Sequence, residues 1–115
     1  MTPVHTIAVD HVFAAIADPT RRQLLEKLSN RGAVSASSLS ADMPISRQAI
    51  AKHLGILCEA GLATRHRAGK QVVFQAEPAQ LAATGRWLQR MATRWEQAGL
   101  TIEQTSVAAT TTTSE

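Results

Sequence analysis

The sequence predicts a mainly α-helical fold with one small β-hairpin, and three observations support this. Apolar residues recur at helical spacing along most of the chain. The period changes after Gly61, where two short runs flank a glycine-containing segment, and helical spacing resumes after Pro78. Because the 115 residues are 44% hydrophobic but only 3% aromatic, we expect one domain with an aliphatic core.

The two ends of the chain are expected to lie outside the packed domain. Residues 1–9 show no clear pattern and are predicted to form an N-terminal arm. Thr, Ser and Ala dominate from residue 105 onward, so residues 101–115 are predicted to form a disordered tail. The domain then spans residues 10–100. Its first helix is expected from Asp10, because apolar residues follow at helical spacing.

A second helix is predicted after Asp18. Aspartate suits the N-cap of a helix and proline suits its first position, which is Pro19 here. Leu24 and Leu28 then lie on one face, and Gly32 is expected just past the helix end. The leucine face predicts that this helix packs against the rest of the domain.

Two short helices joined by a tight turn are predicted in the middle of the chain. Polar capping residues at 35–38 precede the first of them, which contains Leu39, and Pro44 interrupts the pattern. Ser46 suits the N-cap of the second helix, which Gly61 ends. This arrangement is the helix-turn-helix motif. The second helix is expected to bury an apolar face formed by Ile50, Leu54 and Leu57.

A hairpin and a long helix are predicted to follow the motif. Residues 62–67 and 71–76 flank a segment that contains Gly69, and the second run is β-branched and aromatic, which indicates a β-hairpin. A last helix is expected from Pro78 to about Ala98. A helix-turn-helix followed by such a hairpin predicts the winged helix-turn-helix fold.

Positive charge is concentrated around the second motif helix and the hairpin. The whole chain carries a formal charge of +3. Residues 46–75 contain five basic residues and one acidic residue, so this window alone carries +4. Mild overall basicity is more often just a solvated basic surface, but a local basic patch favours nucleic acid as the partner.

The outer face of the second motif helix suits the major groove of DNA. Arginine pairs with guanine and glutamine with adenine, and a small residue can contact the thymine methyl group. Ser46 and the free amides beside it can bind a phosphate. Taken alone, these side chains favour an ordinary solvated face. With the turn and the hairpin, they predict DNA binding through Ser46, Arg47, Gln48, Ala51, Lys52 and His53.

The hairpin carries a second basic group. Arg65 and Arg67 alternate along one strand, and Lys70 lies at the tip, where it can contact the phosphate backbone or enter a minor groove. The alternative is a charged edge strand that prevents aggregation. We include all three in the predicted DNA-binding set. For His53, contact with DNA and packing against the hairpin as a neutral side chain both remain open.

Three ordered motifs resemble the ArsR family of bacterial repressors. They are residues 17–22 (Ala-Asp-Pro-Thr-Arg-Arg), residues 45–54, and residues 59–62 (Glu-Ala-Gly-Leu). The resemblance implies a winged helix-turn-helix that forms a homodimer through its first and last helices. It also implies binding to an inverted-repeat operator on double-stranded DNA, usually as a repressor of nearby genes. By position, residues 46–53 correspond to the recognition helix and residues 65–71 to the wing.

The last helix carries a stripe that is predicted to form the dimer interface. Trp87, Met91 and Trp95 repeat every four residues, so they share one helix face. Phe13 of the first helix is the expected partner across or beside this stripe. A ligand pocket lined by these aromatics is the alternative. We adopt the dimer interface as the interpretation.

The sequence departs from the family where many members bind metal. The paired cysteines of those members fall, by position, on Ser35 and Ser37, which supply no thiolate. Another class binds metal through Asp, His and Glu of the last helix, yet no histidine follows His66. The resemblance is therefore closer to a metal-independent branch, and we expect neither a metal nor a cofactor.

Several other classes of protein lack support in the sequence. We find no Ser/His/Asp set, phosphate-binding glycine loop or paired metal ligands, and therefore expect no enzyme. We also find no signal peptide and no apolar stretch that could cross a membrane. The lone Cys58 suits a reducing compartment. A cytoplasmic protein without a membrane partner is expected.

Two other functions remain open. A sensor repressor would leave its operator when Cys58 is oxidised or when a small molecule binds near Trp87. A chromosome-packaging or protein-contact module would use the same core but would discriminate weakly among DNA sequences. For Cys58 itself, a half-buried and inert thiol is the ordinary expectation, and the sequence identifies no effector.

Overall fold

Five helices and three short strands make up the part of the chain that the computed structural model describes, which is the backbone of residues 4–99 and the side chains of residues 8–99. The predicted tail at 101–115 lies outside the described residues. In chain order the elements are α1 (Val4–Ile16), α2 (Pro19–Arg31), β1 (Val34–Ser35), α3 (Ala36–Ser40), α4 (Arg47–Glu59), β2 (Ala63–Ala68), β3 (Gln71–Ala76) and α5 (Pro78–Gln97).

The three strands form one antiparallel sheet in the order β1-β3-β2. Strands β2 and β3 pair along their whole length, from Ala63 opposite Ala76 to Ala68 opposite Gln71, and this hairpin is called the wing below. Helices α3 and α4 form the helix-turn-helix, and α4 is called the recognition helix. A mainly helical chain with this small sheet confirms the predicted winged helix-turn-helix fold.

Strand β1 was not predicted. It is only two residues long, and Val34 and Ser35 pair with Phe74 and Val73 of β3. Two residues are too few to show the alternation of apolar and polar side chains that identifies a strand. The short strand matters because it holds the start of α3 beside the wing.

The described residues fall into two compact units, one ending at Thr84 and the other starting at Gly85. The first unit contains α1 through β3 and the start of α5. The second unit contains the rest of α5. The sheet, the helix-turn-helix and the buried core all belong to the first unit.

Helix α1 begins at Val4 rather than at Asp10. Residues 4–9, which we expected to form an arm, therefore belong to a helix, and Val9 is buried. Four of these six residues are β-branched, a class with lower intrinsic helix propensity. The local sequence therefore carries only a weak signal for this part of the helix.

Polar side chains begin three helices, as the sequence predicts. Asp18, Ser35 and Ser46 each accept a hydrogen bond from the backbone N–H three residues later, at 3.0–3.1 Å. These bonds satisfy donors that the start of a helix leaves unpaired. For Asp18, the bond from the Arg21 amide lowers the pKa of the carboxyl below its usual value, so the cap is ionised at neutral pH.

An aliphatic core fixes the rotation of the recognition helix about its own axis. Ile50, Leu54 and Leu57 are fully buried and belong to one cluster with Leu39 of α3 and Phe74 of β3. Burial of one such side chain contributes roughly 1.5–3 kcal/mol, so any rotation that exposed this row would be strongly unfavourable. The opposite face, with Arg47, Gln48, Ala51 and Lys52, is consequently exposed.

Gly61 lies just past the recognition helix, and both its backbone conformation and its close neighbour favour glycine. Its φ is +78°, a left-handed conformation that side chains disfavour. A Cβ atom there would lie 2.7 Å from Cγ of Gln80 at the start of α5. Both the backbone conformation and the space beside Gln80 therefore favour glycine where the chain turns from α4 into β2.

We expect Gly61→Ala to destabilise the fold. The left-handed backbone should cost about 1–2 kcal/mol, and the contact with Gln80 should add a further cost. Adding Gln80→Ala should recover only the second part. Gly55→Ala is the control: Gly55 lies within α4, and the nearest atom to its Cβ position, Arg65 Nη2, is 4.0 Å away. That change should stabilise the fold by up to about 1 kcal/mol. Free energies of unfolding from denaturant titrations measure all of these, and equal effects of the two alanines would contradict this account.

Candidate nucleic-acid interface

The exposed face of the recognition helix carries two parallel rows of side chains. Residues four apart align along a helix, and successive residues are rotated by about 100°. Arg47 and Ala51 therefore form one row, and Gln48 and Lys52 form the next. Among residues 8–99 neither Arg47 nor Lys52 has an ion-pair partner. Both cations are therefore available to an external anion.

A groove of about 400 Å³ lies between the recognition helix and the wing. The Arg47–Ala51 row forms one side of this groove, and the Gln48–Lys52 row does not line it. The second side is β3, and the third is the start of α3. In addition to Arg47 and Ala51, the lining residues are Ser35, Ala36, Ser37, Lys70, Gln71, Val72 and Phe74. The groove therefore contains two cationic side chains, one from the helix and one from the wing.

The three basic residues of the wing have different surroundings. Lys70 in the turn and Arg67 on β2 are exposed. Arg65 Cζ lies 5.5 Å from the centroid of the Phe74 ring, which is within the range of a cation–π interaction. Its Nη2 atom also lies beside Gly55 of the recognition helix. Arg65 therefore links the wing to the core and to the recognition helix.

Arg21 connects three helices through its guanidinium group. Its Nε donates to the carbonyl of Ala15 at 2.7 Å, and its Nη2 donates to the carbonyl of Ala14 at 3.3 Å, both near the end of α1. Its Nη1 lies 3.3 Å from Nδ1 of His53 on the recognition helix. The last carbonyls of a helix lack partners within it and favour a nearby cation. Arg21 therefore satisfies α1 while it contacts the recognition helix.

His53 is held in one tautomer by this contact. A guanidinium group has no hydrogen-bond acceptor, so Nδ1 of His53 must accept and the ring proton must be on Nε2. The ring is half-buried. We expected contact with DNA or packing against the wing, and neither interpretation included this contact with α2. Nε2–H is the remaining polar group of the ring.

The two serines at the positions of the family's metal-binding cysteines have ordinary roles. The Ser35 hydroxyl caps α3 by accepting from the Ser38 amide, and Ser37 is exposed in the first turn of α3. Within residues 8–99 no three His, Cys, Asp or Glu side chains are placed to hold a metal ion. None of the described helices is long and apolar enough to cross a membrane.

Cys58 is half-buried near the end of the recognition helix. Burial raises the pKa of its thiol above the ordinary value, and the positive charge of Arg65 opposes this only in part. The thiolate is the reactive form of cysteine. At neutral pH the Cys58 side chain is therefore almost entirely the unreactive thiol.

The second part of α5 exposes two large apolar side chains. Leu88 and Trp95 are seven residues apart on this helix and are 50% and 58% exposed. Trp87 and Met91 are half-buried, and the Met91 sulfur lies 3.6 Å from Nη1 of Arg94. Exposed large apolar residues on one helix are typical of a surface that another protein covers.

Two of these features were missed from the sequence, for different reasons. Arg21 and His53 are 32 residues apart, and nothing in either local pattern connects them. Leu88 lies in the predicted helix, but steps of four from Trp87 do not reach it. Leu88 lies seven residues before Trp95, and a search at a spacing of seven residues would have placed the two on one helix face.

Comparison with known proteins agrees with the fold and with the motif. Residues 16–66 match the model of a helix-turn-helix domain family. The HTH-type transcriptional regulator YuzN of Bacillus subtilis is 40% identical, and the match covers 70% of this chain and 95% of that protein. The transcriptional repressor SdpR of the same organism is 32% identical, with 70% of this chain and 88% of that protein covered.

A solved structure is also similar over nearly the whole chain. The ArsR-like transcriptional regulator from Rhodococcus sp. RHA1 is 39% identical and superposes with a TM-score of 0.75. The match covers 86% of this chain and 92% of that one. The chain therefore belongs to the ArsR-like family of helix-turn-helix transcriptional regulators.

Proposed function

We propose that this regulator is a repressor that binds a specific inverted-repeat operator as a homodimer and has no catalytic activity. The observation that carries the proposal is the recognition helix itself. Its apolar face is buried in the core, so its exposed face is held in one orientation that suits the major groove. SdpR, a relative, is a transcriptional repressor, and this supports repression as the sign of regulation here.

The proposed base contacts come from the exposed face of the recognition helix. Gln48 can pair with adenine through two hydrogen bonds, Ala51 can contact a thymine methyl group, and Lys52 can donate to guanine. All three side chains are exposed. The remaining members of the proposed DNA-binding set on this helix are Ser46, Arg47 and His53.

The proposed backbone contacts come mainly from the wing. Lys70 and Arg67 are exposed and have no acidic partner among residues 8–99. Phosphate contacts fix the position of a protein on DNA without selecting its sequence. Arg65 belongs to the same proposed set, but its cation–π contact with Phe74 favours a role in holding the wing in place.

We propose that the dimer interface includes α5 and Phe13 of α1. Trp95 and Leu88 are exposed in the single chain, and Met91 and Trp87 lie on the same helix. A dimer would remove this apolar area from water, which is a favourable term in protein association. Two-fold symmetry of the protein would then be matched by two half-sites in the operator.

The proposed site of action is the cytoplasm, and the proposed regulation does not depend on metal. Ser35 and Ser37 offer only hydroxyl oxygens, which are poor ligands for the soft metals that thiolates bind. No cofactor is part of the proposal. The alternative is a sensor repressor that is released by oxidation of Cys58 or by a small molecule.

Selection from a random DNA pool tests the proposal as a whole. We expect an enriched inverted repeat and strong discrimination against random DNA of the same length, typically at least about a thousandfold. Weak discrimination would instead support a packaging module.

Variants on the selected operator should separate base contacts from backbone contacts. Gln48→Ala should reduce discrimination at one half-site position, at a cost of roughly 1–3 kcal/mol against the preferred base. Lys70→Ala should weaken binding to all sequences equally and reduce the dependence of log K on log salt by about one charge per subunit. Titrations over a range of salt, with operator and random DNA, measure both. If Gln48→Ala weakened binding to all sequences equally and Lys70→Ala changed the base preference, the two roles would be reversed.

Trp95→Ala should weaken the dimer, because a truncated interface tryptophan commonly costs at least about 2 kcal/mol, or thirtyfold in affinity. Gln97→Ala, an exposed polar change on the same helix, should leave the dimer unchanged. Sedimentation equilibrium measures both dissociation constants. A wild-type protein that is monomeric at micromolar concentration, with and without operator, would refute the dimer.

Cys58 should react slowly with iodoacetamide in the folded protein at pH 7 and faster as the pH rises. The raised pKa of its thiol is the reason. The rate is compared with that of the unfolded chain. Hydrogen peroxide should leave operator affinity unchanged in the wild type, as in Cys58→Ser. Loss of affinity in the wild type alone would establish the oxidation-sensing alternative.

A further inference from the structure

The groove between the recognition helix and the wing has the chemistry of an anion site. Arg47 and Lys70 both line it, and neither forms an ion pair with a described acidic residue. Its polar lining also includes Ser37 and Gln71, while the buried ring of Phe74 closes one side. Two unpaired cations that share one groove favour an occupant with negative charge.

A comparison of two helix starts strengthens this conclusion. A cation in the first turn of a helix is unfavourable unless an anion or another acceptor compensates. In α2, Arg21 and Arg22 are compensated inside the protein, because their side chains donate to carbonyls of α1 and Asp18 caps the helix. In α4, Arg47 is the first residue, no acidic residue follows in the first turn, and no described acceptor pairs with it. Arg47 is exposed and is therefore free to bind an anion from outside the protein.

We infer that this groove holds a backbone phosphate of the bound DNA strand between Arg47 and Lys70. Arg47 is then a phosphate contact and not a reader of guanine. The neighbouring row, Gln48 and Lys52, does not line the groove. The base contacts are then left to this row and to Ala51, which lies one turn after Arg47. The inference rests on the proposed DNA-binding function and assigns different tasks to two adjacent residues of one helix.

Neutral phosphate analogues test the inference directly. Duplexes of the selected operator are made with one methylphosphonate at a time along a half-site. At one position, or two adjacent ones, the wild type should lose about tenfold in affinity, as expected for a charge-assisted hydrogen bond. Arg47→Gln should lose affinity on the unmodified duplex and show a smaller methylphosphonate effect at that position, because only Lys70 still contacts the phosphate. It should also select the same base sequence as the wild type.

Two further variants provide the controls. Arg47→Lys keeps the charge but loses the planar fork that pairs with guanine. It should therefore keep both the methylphosphonate effect and the base preference. Gln48→Ala should keep the methylphosphonate effect and lose base preference. All of these side chains are exposed, so the variants should unfold at the wild-type temperature.

The wing's contribution is measured with Lys70→Gln. If both cations contact one phosphate, Lys70→Gln should also reduce the methylphosphonate effect at the same position. The loss of affinity in the double variant should then differ from the sum of the two single losses. Additive losses with effects at separate phosphates would overturn the shared site.

Three other outcomes would overturn the inference and are distinguishable from each other. If Arg47→Gln and Arg47→Lys both relax the preference for a guanine, Arg47 is a base contact and the proposed function still stands. If no methylphosphonate along the half-site lowers affinity, while inorganic phosphate displaces operator from the wild type and not from Arg47→Gln, the groove is a site for free anions. If the wild type prefers no DNA sequence, the proposed function fails as well.

Discussion

The guanidinium of Arg21 is the polar contact that holds the recognition helix against α1 and α2. It donates to two carbonyls near the end of α1 and lies against Nδ1 of His53 on the recognition helix, while its own backbone amide donates to Asp18. One side chain therefore connects the end of α1, the start of α2 and the middle of α4. The contact with His53 requires Nδ1 of the ring as its acceptor, because a guanidinium group can only donate.

The position of the wing depends on a second set of contacts. The hairpin alone would be only marginally stable in water, as isolated two-stranded hairpins are. Here β1 pairs with β3, and Arg65 stacks on Phe74, whose ring is buried in the core cluster. These contacts connect the strands to the recognition helix and to the start of α3. These contacts hold the hairpin in the position at which Lys70 lines the same groove as Arg47.

Local signals in the sequence were sufficient for most of the fold and for one face of the site. The caps at Asp18, Ser35 and Ser46 and the buried row of Ile50, Leu54 and Leu57 follow from short-range patterns, and the structure confirms them. Local signals failed where long-range packing decides. The two-residue β1 and the contacts of the Arg21 and Arg65 side chains with His53 and Phe74 depend on partners that are distant in sequence. The sequence alone does not show whether an arginine side chain will contact a carbonyl group, an aromatic ring or a phosphate.

Because one face of the recognition helix is buried, base preference and sequence-independent affinity can be changed separately. Rotation of the recognition helix is fixed by Ile50, Leu54 and Leu57, so a substitution at one exposed position does not move its neighbours. If Arg47 and Lys70 supply the phosphate contacts, changes at Gln48 can alter the preferred operator while the sequence-independent part of the affinity is kept. A change at Arg47 would instead weaken every site together. The same core and groove could thus serve regulators with different operators, with the difference confined to a few exposed positions of one helix.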